Sequence, residues 1–102
     1  MSTMSFLPNL KSFLRTNGVI YTVRRYSMDE RDVEVEGLGT CHREPLGTIQ
    51  EPLELLQYYK ESGFQSPREW WKKIEHFIPD KRTPKYLYRV TTKERESGEN
   101  SL

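Results

Sequence analysis

The chain has 102 residues, enough for one domain and not for two. Apolar residues make up only 34% of it and charged residues 30%, so its core is small and must lean on aromatics (12%), each of which removes a large area from water. A net charge of +1 excludes a global basic field, and the single cysteine, Cys41, excludes an internal disulfide.

A lone thiol suits a reducing compartment. No apolar run approaches the roughly 18 residues of a membrane span, and Pro8 and Asn9 interrupt the apolar start too early for a signal peptide. A soluble, cytoplasmic protein without membrane contact is the expectation.

In chain order, residues 1 to 3 read as frayed, and "MSFL" (4 to 7) is short enough for a strand. Pro8 suits the first turn of a helix, Leu10, Phe13 and Leu14 follow at helical spacing, and Asn17-Gly18 ends it, because glycine takes a left-handed cap readily. Val19 to Tyr26 has strand composition, with Val19, Tyr21, Val23 and Arg25 on one face and Ile20, Thr22, Arg24 and Tyr26 on the other. After a polar connection, "VEVEGLGTCHREPLGTI" reads as one or two strands. Val33 and Val35 point inward, a bulge or bend falls at Gly37 and Gly39, and Pro45 belongs on an edge or at a break.

Pro52 then opens a helix with Leu53, Leu56 and Tyr59 or Lys60 along one stripe, closed by Gly63. "SPRE" (66 to 69) opens another, with Ser66 as N-cap, Pro67 next and Glu69 completing a capping box. Trp70, Trp71, Ile74, Phe77 and Ile78 form its apolar stripe. Adjacent residues on a helix point about 100° apart, so one tryptophan is expected to be buried and the other partly exposed. "KYLYRVTT" (85 to 92) alternates as a strong closing strand, and residues 93 to 102 form a polar, disordered tail.

Thr22, Arg24, Arg25 and Tyr26 are the leading functional candidates. A strand places Thr22 and Arg24 about 7 Å apart on one face with Tyr26 continuing the row. A hydroxyl, a guanidinium and a ring in line suit a phosphate, a base edge and a stacked base. The alternative is that Arg24 pairs with Glu34 or Glu36 on a neighbouring strand while Tyr26 caps the core. Trp71 with Lys72 and Lys73 could add an aromatic, basic surface for single-stranded nucleic acid, although tryptophan at this spacing is ordinarily core. Cys41, His42 and His76 lack metal-ligand spacing, so no metal is expected, and Cys41 reads as a small core residue with His42 facing the other way.

The helix ending in Gly18 followed by a strand ending "TVRR" resembles the start of the ASCH domain family, a branch of the PUA-like fold, whose members carry a Gly-x-Lys-x-x-x-x-Arg-like motif here. "YKESGFQSPREWWKKIEHFIP" followed by "KYLYRV" resembles that family's helical pair and closing strand, so the likeness runs from about residue 4 to residue 91. The resemblance implies an RNA- or nucleoside-binding pocket. In small relatives of the bacterial acetylcytidine amidohydrolase type it also implies amide hydrolysis by a lysine, a threonine and a glutamate. Thr22 and Arg24 match the end of the motif, and Glu61 falls near the glutamate. The lysine position falls at Val19 or Ile20, neither of which can act as a base.

Together these readings give an α+β domain over residues 1 to 92, a small curved mixed sheet or partly open β-barrel with three helices. It would bind RNA, a nucleotide or a modified nucleoside through Thr22, Arg24, Arg25, Tyr26, Trp71 and Lys72, without a cofactor, as a monomer or weak homodimer. The alternatives are a small RNA-processing enzyme using Thr22 and Glu61, and a protein-interaction module with an exposed aromatic.

Overall fold

The structure, a computed structural model, describes residues 2–25 and 29–92. Tyr26 and the tail at 93 to 102 lie outside the described residues.

Pro8 stands in the first turn of α1 (Pro8–Asn17), where its missing N–H is not needed, and Gly18 ends the helix at φ 78°, its N–H donating to the Leu14 carbonyl over 2.8 Å. The chain then turns directly into β2 (Val19–Arg24). The remaining strands are β1 (Ser2–Met4), β3 (Arg31–Val35), β4 (Gly39–Thr48) and β5 (Tyr86–Thr92), and α2 (Pro67–Phe77) follows its Ser66 cap, whose hydroxyl accepts from the Glu69 N–H. The sheet order is β1-β3-β4-β5-β2, with β1 parallel to β3 and the other pairs antiparallel. No helix among the described residues is long and apolar enough to cross a membrane.

Two apolar layers sandwich this sheet. One joins Met4 of β1 to Ile20 of β2, from opposite edges of the sheet, together with Leu14, Val33, Val35, Cys41 and Val90. Residues from both edges meet there because the sheet curls around that layer into a half-barrel, with α1 filling its concave side. The other layer, Val23, Ile49, Leu55, Trp70, Ile74, Ile78 and Leu87, seats α2 on the convex side. Period-two alternation assigns each strand residue to one layer or the other.

Among the described residues two α-helices are present, not the expected three. Residues 52 to 63 form two 3₁₀ turns, Pro52–Leu55 and Tyr59–Ser62. Between them the Tyr58 N–H donates to the Leu55 carbonyl over 2.9 Å, and both side chains pack on the sheet, Tyr58 4.9 Å from the Tyr21 ring. Leu53 and Leu56, expected inward, are exposed. Glu54 turns back to accept the Gln50 and Glu51 N–H groups, and those bonds hold its carboxyl below the usual range.

Other expectations shift by a few residues. The first strand is Ser2–Met4, not 4 to 7, and its residues do not fray, because the open edge of β3 captures them with Met4 buried. Pro8 holds Leu7 extended at φ −59° and ψ 150°, at the start of α1. Of the bulge or bend expected at Gly37 and Gly39, the bend is found: both, at positive φ, belong to the turn between β3 and β4. The bulge lies at the register shift between Pro45 and Gly47, so Pro45 sits at a break within an interior strand.

Candidate functional site

A cleft of about 470 Å³ opens where the end of β2 faces α2 and the segment after β1. Three consecutive β2 residues, Thr22, Val23 and Arg24, line it with Arg25, the residue after the strand. Side chains of a strand alternate between faces, so an unbroken run means that the cleft follows the strand's backbone edge. Among the described residues β2 is the last strand of the sheet and pairs only with β5. The Thr92 N–H donates to the Gly18 carbonyl. Antiparallel alternation then turns the amides of Ile20, Thr22 and Arg24 toward β5 and leaves the N–H and C=O of Val23 on the open edge.

Arg24 builds the cleft wall. Its Nε donates to the Thr22 hydroxyl over 3.1 Å and its Nη2 to the Ser5 carbonyl over 2.6 Å, while its guanidinium stacks 4.9 Å from the centre of the Phe6 ring. One side chain thus ties the end of β2 to the segment after β1, bridging the two edges of the curled sheet. The expected pairing with Glu34 or Glu36 does not form, because β5 and β4 separate β2 from β3. Glu34 instead accepts from the Thr40 hydroxyl.

Across the cleft, α2 contributes Trp70, Lys73, Ile74 and Phe77, at the i, i+3, i+4, i+7 positions of one face. Trp70 is buried, stacked parallel to Phe64 with ring centres 6.1 Å apart. Trp71 is half-buried with Lys85 Nζ 5.8 Å from its ring centre, as one-in, one-out tryptophans require. It lies outside the cleft lining, and so does the exposed Lys72. Phe77, expected in the core, is 58% exposed, because it is the last residue of α2 and stands at the cleft rim. Phe77 is a site residue that sequence reasoning missed, and Lys73, grouped there with Trp71 and Lys72, is the member of that group that lines the cleft. The signal was the helical stripe itself, which carries them beside Trp70 and Ile74.

Thr22 therefore faces the cleft together with Lys73, while Val19 is half-buried and Ile20 fully buried. Glu61 is exposed on the second 3₁₀ turn and is not part of the cleft lining. Among the described residues, fifteen line the cleft, with Arg24, Arg25 and Lys73 among them and no aspartate or glutamate.

On the convex face, His42 sits opposite Asp32, its Nδ1 2.9 Å from that carboxylate and its Nε2 2.7 Å from Glu30. A carboxylate on each ring nitrogen, Asp32 the stronger, holds the imidazole above its ordinary value of 6.5. The protonated form favours the fold. Its contribution is complete below pH 6.5 and fades as pH rises through the raised value in the folded state, and it stays small because the ring is partly exposed. An NMR titration is expected to place His42 above 6.5 and Asp32→Asn to lower it; a midpoint at or below 6.5 in the parent chain would contradict the pairing. No group of three potential metal-ligating side chains with suitable geometry occurs among the described residues.

No known protein family, curated protein or solved structure matches the chain.

Proposed function

We propose that the chain binds single-stranded RNA or a nucleotide in the cleft between β2 and α2. The observation that carries this reading is the charge of the lining: among the described residues it holds three cations and no carboxylate, in a chain whose 15 acidic residues nearly balance its 16 basic ones. A concave site so biased suits an anionic occupant. Its volume lies within the range of small-ligand sites.

The parts divide by chemistry. Arg25 and Lys73 supply positive charge for phosphate, and the exposed ring of Phe77, one turn from Lys73, offers a stacking face. The N–H and C=O of Val23 form an adjacent donor and acceptor, the pattern that reads a base edge. Arg24 shapes the wall and holds Thr22 in place. The resemblance of the "TVRR" strand and the later helix to ASCH domains points to the same ligand class. The open strand edge also favours a second reading, an acidic peptide added as a strand.

Binding of a single-stranded RNA oligonucleotide measured against salt tests the proposal. Replacing both Arg25 and Lys73 by alanine is expected to weaken binding at least tenfold and to flatten the log–log salt slope by about 1.4, two phosphate contacts on a single strand. Unchanged affinity and slope would refute it. Tight binding of an acidic peptide without RNA binding would favour the second reading.

A further inference from the structure

The concave face changes character along the barrel. At the α1 end it is apolar, with the cross-strand pair Val33 and Cys41 fully buried. Two residues further along each strand, the same face carries Arg31 opposite Arg43, with Tyr88 one position on from Val90, the β5 partner of Arg43. Arg43 is only 5% exposed, and its guanidinium lies 4.9 Å from the centre of the fully buried Tyr88 ring. Burial is the main reason that the Tyr88 phenol is held above its usual range.

Asp29 answers both arginines at once. One carboxylate oxygen lies 2.5 Å from Arg43 Nη2 and the other pairs with Arg31. One donor stays unanswered. Arg43 Nε is out of water and has no hydrogen-bond partner among the described residues. Nε and Nη2 share one edge of the guanidinium, the edge that grips an oxyanion with two parallel bonds. Asp29 fills half of that edge, because its second oxygen is turned to Arg31. With one oxygen on Arg43 Nη2 and the other on Arg31, Asp29 leaves Nε unmet. A phosphate has enough oxygens to take Nε, Nη2 and Arg31 together.

We propose that this end of the concave face is a phosphate site, built from Arg43, Arg31 and the Tyr88 ring, in which the side chain of Asp29 occupies the ligand's place. An arginine kept only as a core filler would be expected to have its buried donors satisfied, since an unmet one costs about 1–3 kcal/mol. Asp29 is 34% exposed, so phosphate has a route to Arg43 by displacing it. The site is distinct from the cleft between β2 and α2, whose lining includes none of these residues.

Inorganic phosphate is the probe, titrated at constant ionic strength against chloride, with the Arg43 Nε–H resonance as the local readout. In the parent chain that resonance is expected to shift and saturate with phosphate. Asp29→Ala, which removes the competing carboxylate, is expected to tighten binding about tenfold and to gain thermal stability from phosphate. Arg31→Gln, at a half-exposed position, is expected to weaken binding severalfold in a chain that still folds. Acetate is expected to bind more weakly than phosphate in Asp29→Ala; equal binding would make the site a carboxylate site and overturn the phosphate assignment. Methyl phosphate in a parallel titration separates a phosphate monoester from free phosphate as the ligand. No saturable shift in either the parent chain or Asp29→Ala, or a shift indifferent to Arg31→Gln, would overturn the proposal.

Discussion

Replacing Trp70 by alanine is expected to lower the unfolding free energy by about 3–5 kcal/mol, the range for deleting a large buried side chain. Trp70 is almost fully buried among Val23, Ile49, Leu55, Ile74, Ile78 and Leu87, and its ring stacks on Phe64. It is the main anchor of α2 on the convex face and also part of the cleft lining. The loss should therefore fall on fold and site together. Trp71→Ala, at a half-buried position away from the cleft, is expected to cost less than half as much and to spare the cleft. Urea unfolding of both variants checks the order; equal losses would mean that α2 is not seated through Trp70 in the way its burial implies.

Gly63→Ala is expected to destabilise the chain by about 2 kcal/mol, a large effect for a single methyl group. Gly63 closes the second 3₁₀ turn at φ 85°, where an L-residue costs roughly 1–2 kcal/mol. A Cβ there would also stand 2.7 Å from Leu10 Cδ2 and 3.7 Å from the Phe13 ring of α1. The leucine terminus can yield, and that relief keeps the total modest. The next residue is Phe64, so this turn sets where the ring that stacks on Trp70 begins. Thermal unfolding gives the stability change. Gly63→Asn, which tolerates the left-handed region better, is expected to lose less of it than alanine does, and an alanine variant as stable as the parent chain would contradict the turn's assigned geometry.

Much of the framework was legible because it rests on short-range chemistry. Pro8 and Gly18 delimit α1 as read, and Ser66 and Pro67 open α2, the Ser66 hydroxyl accepting from the Glu69 N–H, half of the expected capping box. The alternation of β2, β3 and β5 also sorts residues to the right faces. Val33, Val35 and Cys41 are buried, and His42 points away from Cys41. The misreadings occur where a distant partner decides. Residues 52 to 63 have a helix's composition and a helix's stop signal, yet they form two 3₁₀ turns whose junction carries Leu55 and Tyr58 onto the sheet. The pairing of Ser2–Met4 depends on the edge of β3, some thirty residues away in sequence, which no local pattern encodes.

The site divides along the same line. That Thr22, Arg24 and Arg25 end one strand, and that Lys73 and Phe77 share a helical stripe with Trp70, follows from period two and period 3.6 in the residues alone. Which of these charges meet did not follow. Strand order put β5 rather than β3 beside β2, so Arg24 turned to Ser5 and Phe6 instead of a glutamate. It also left β2 as an open edge facing α2. The same order brought Arg43 and Arg31 together over Asp29. Periodicity acts through neighbours within one turn or one strand. The gathering of three cations in an acid-free cleft, and of two arginines on one carboxylate, required strands distant in sequence to pair, and the burial of their apolar faces chose those pairs.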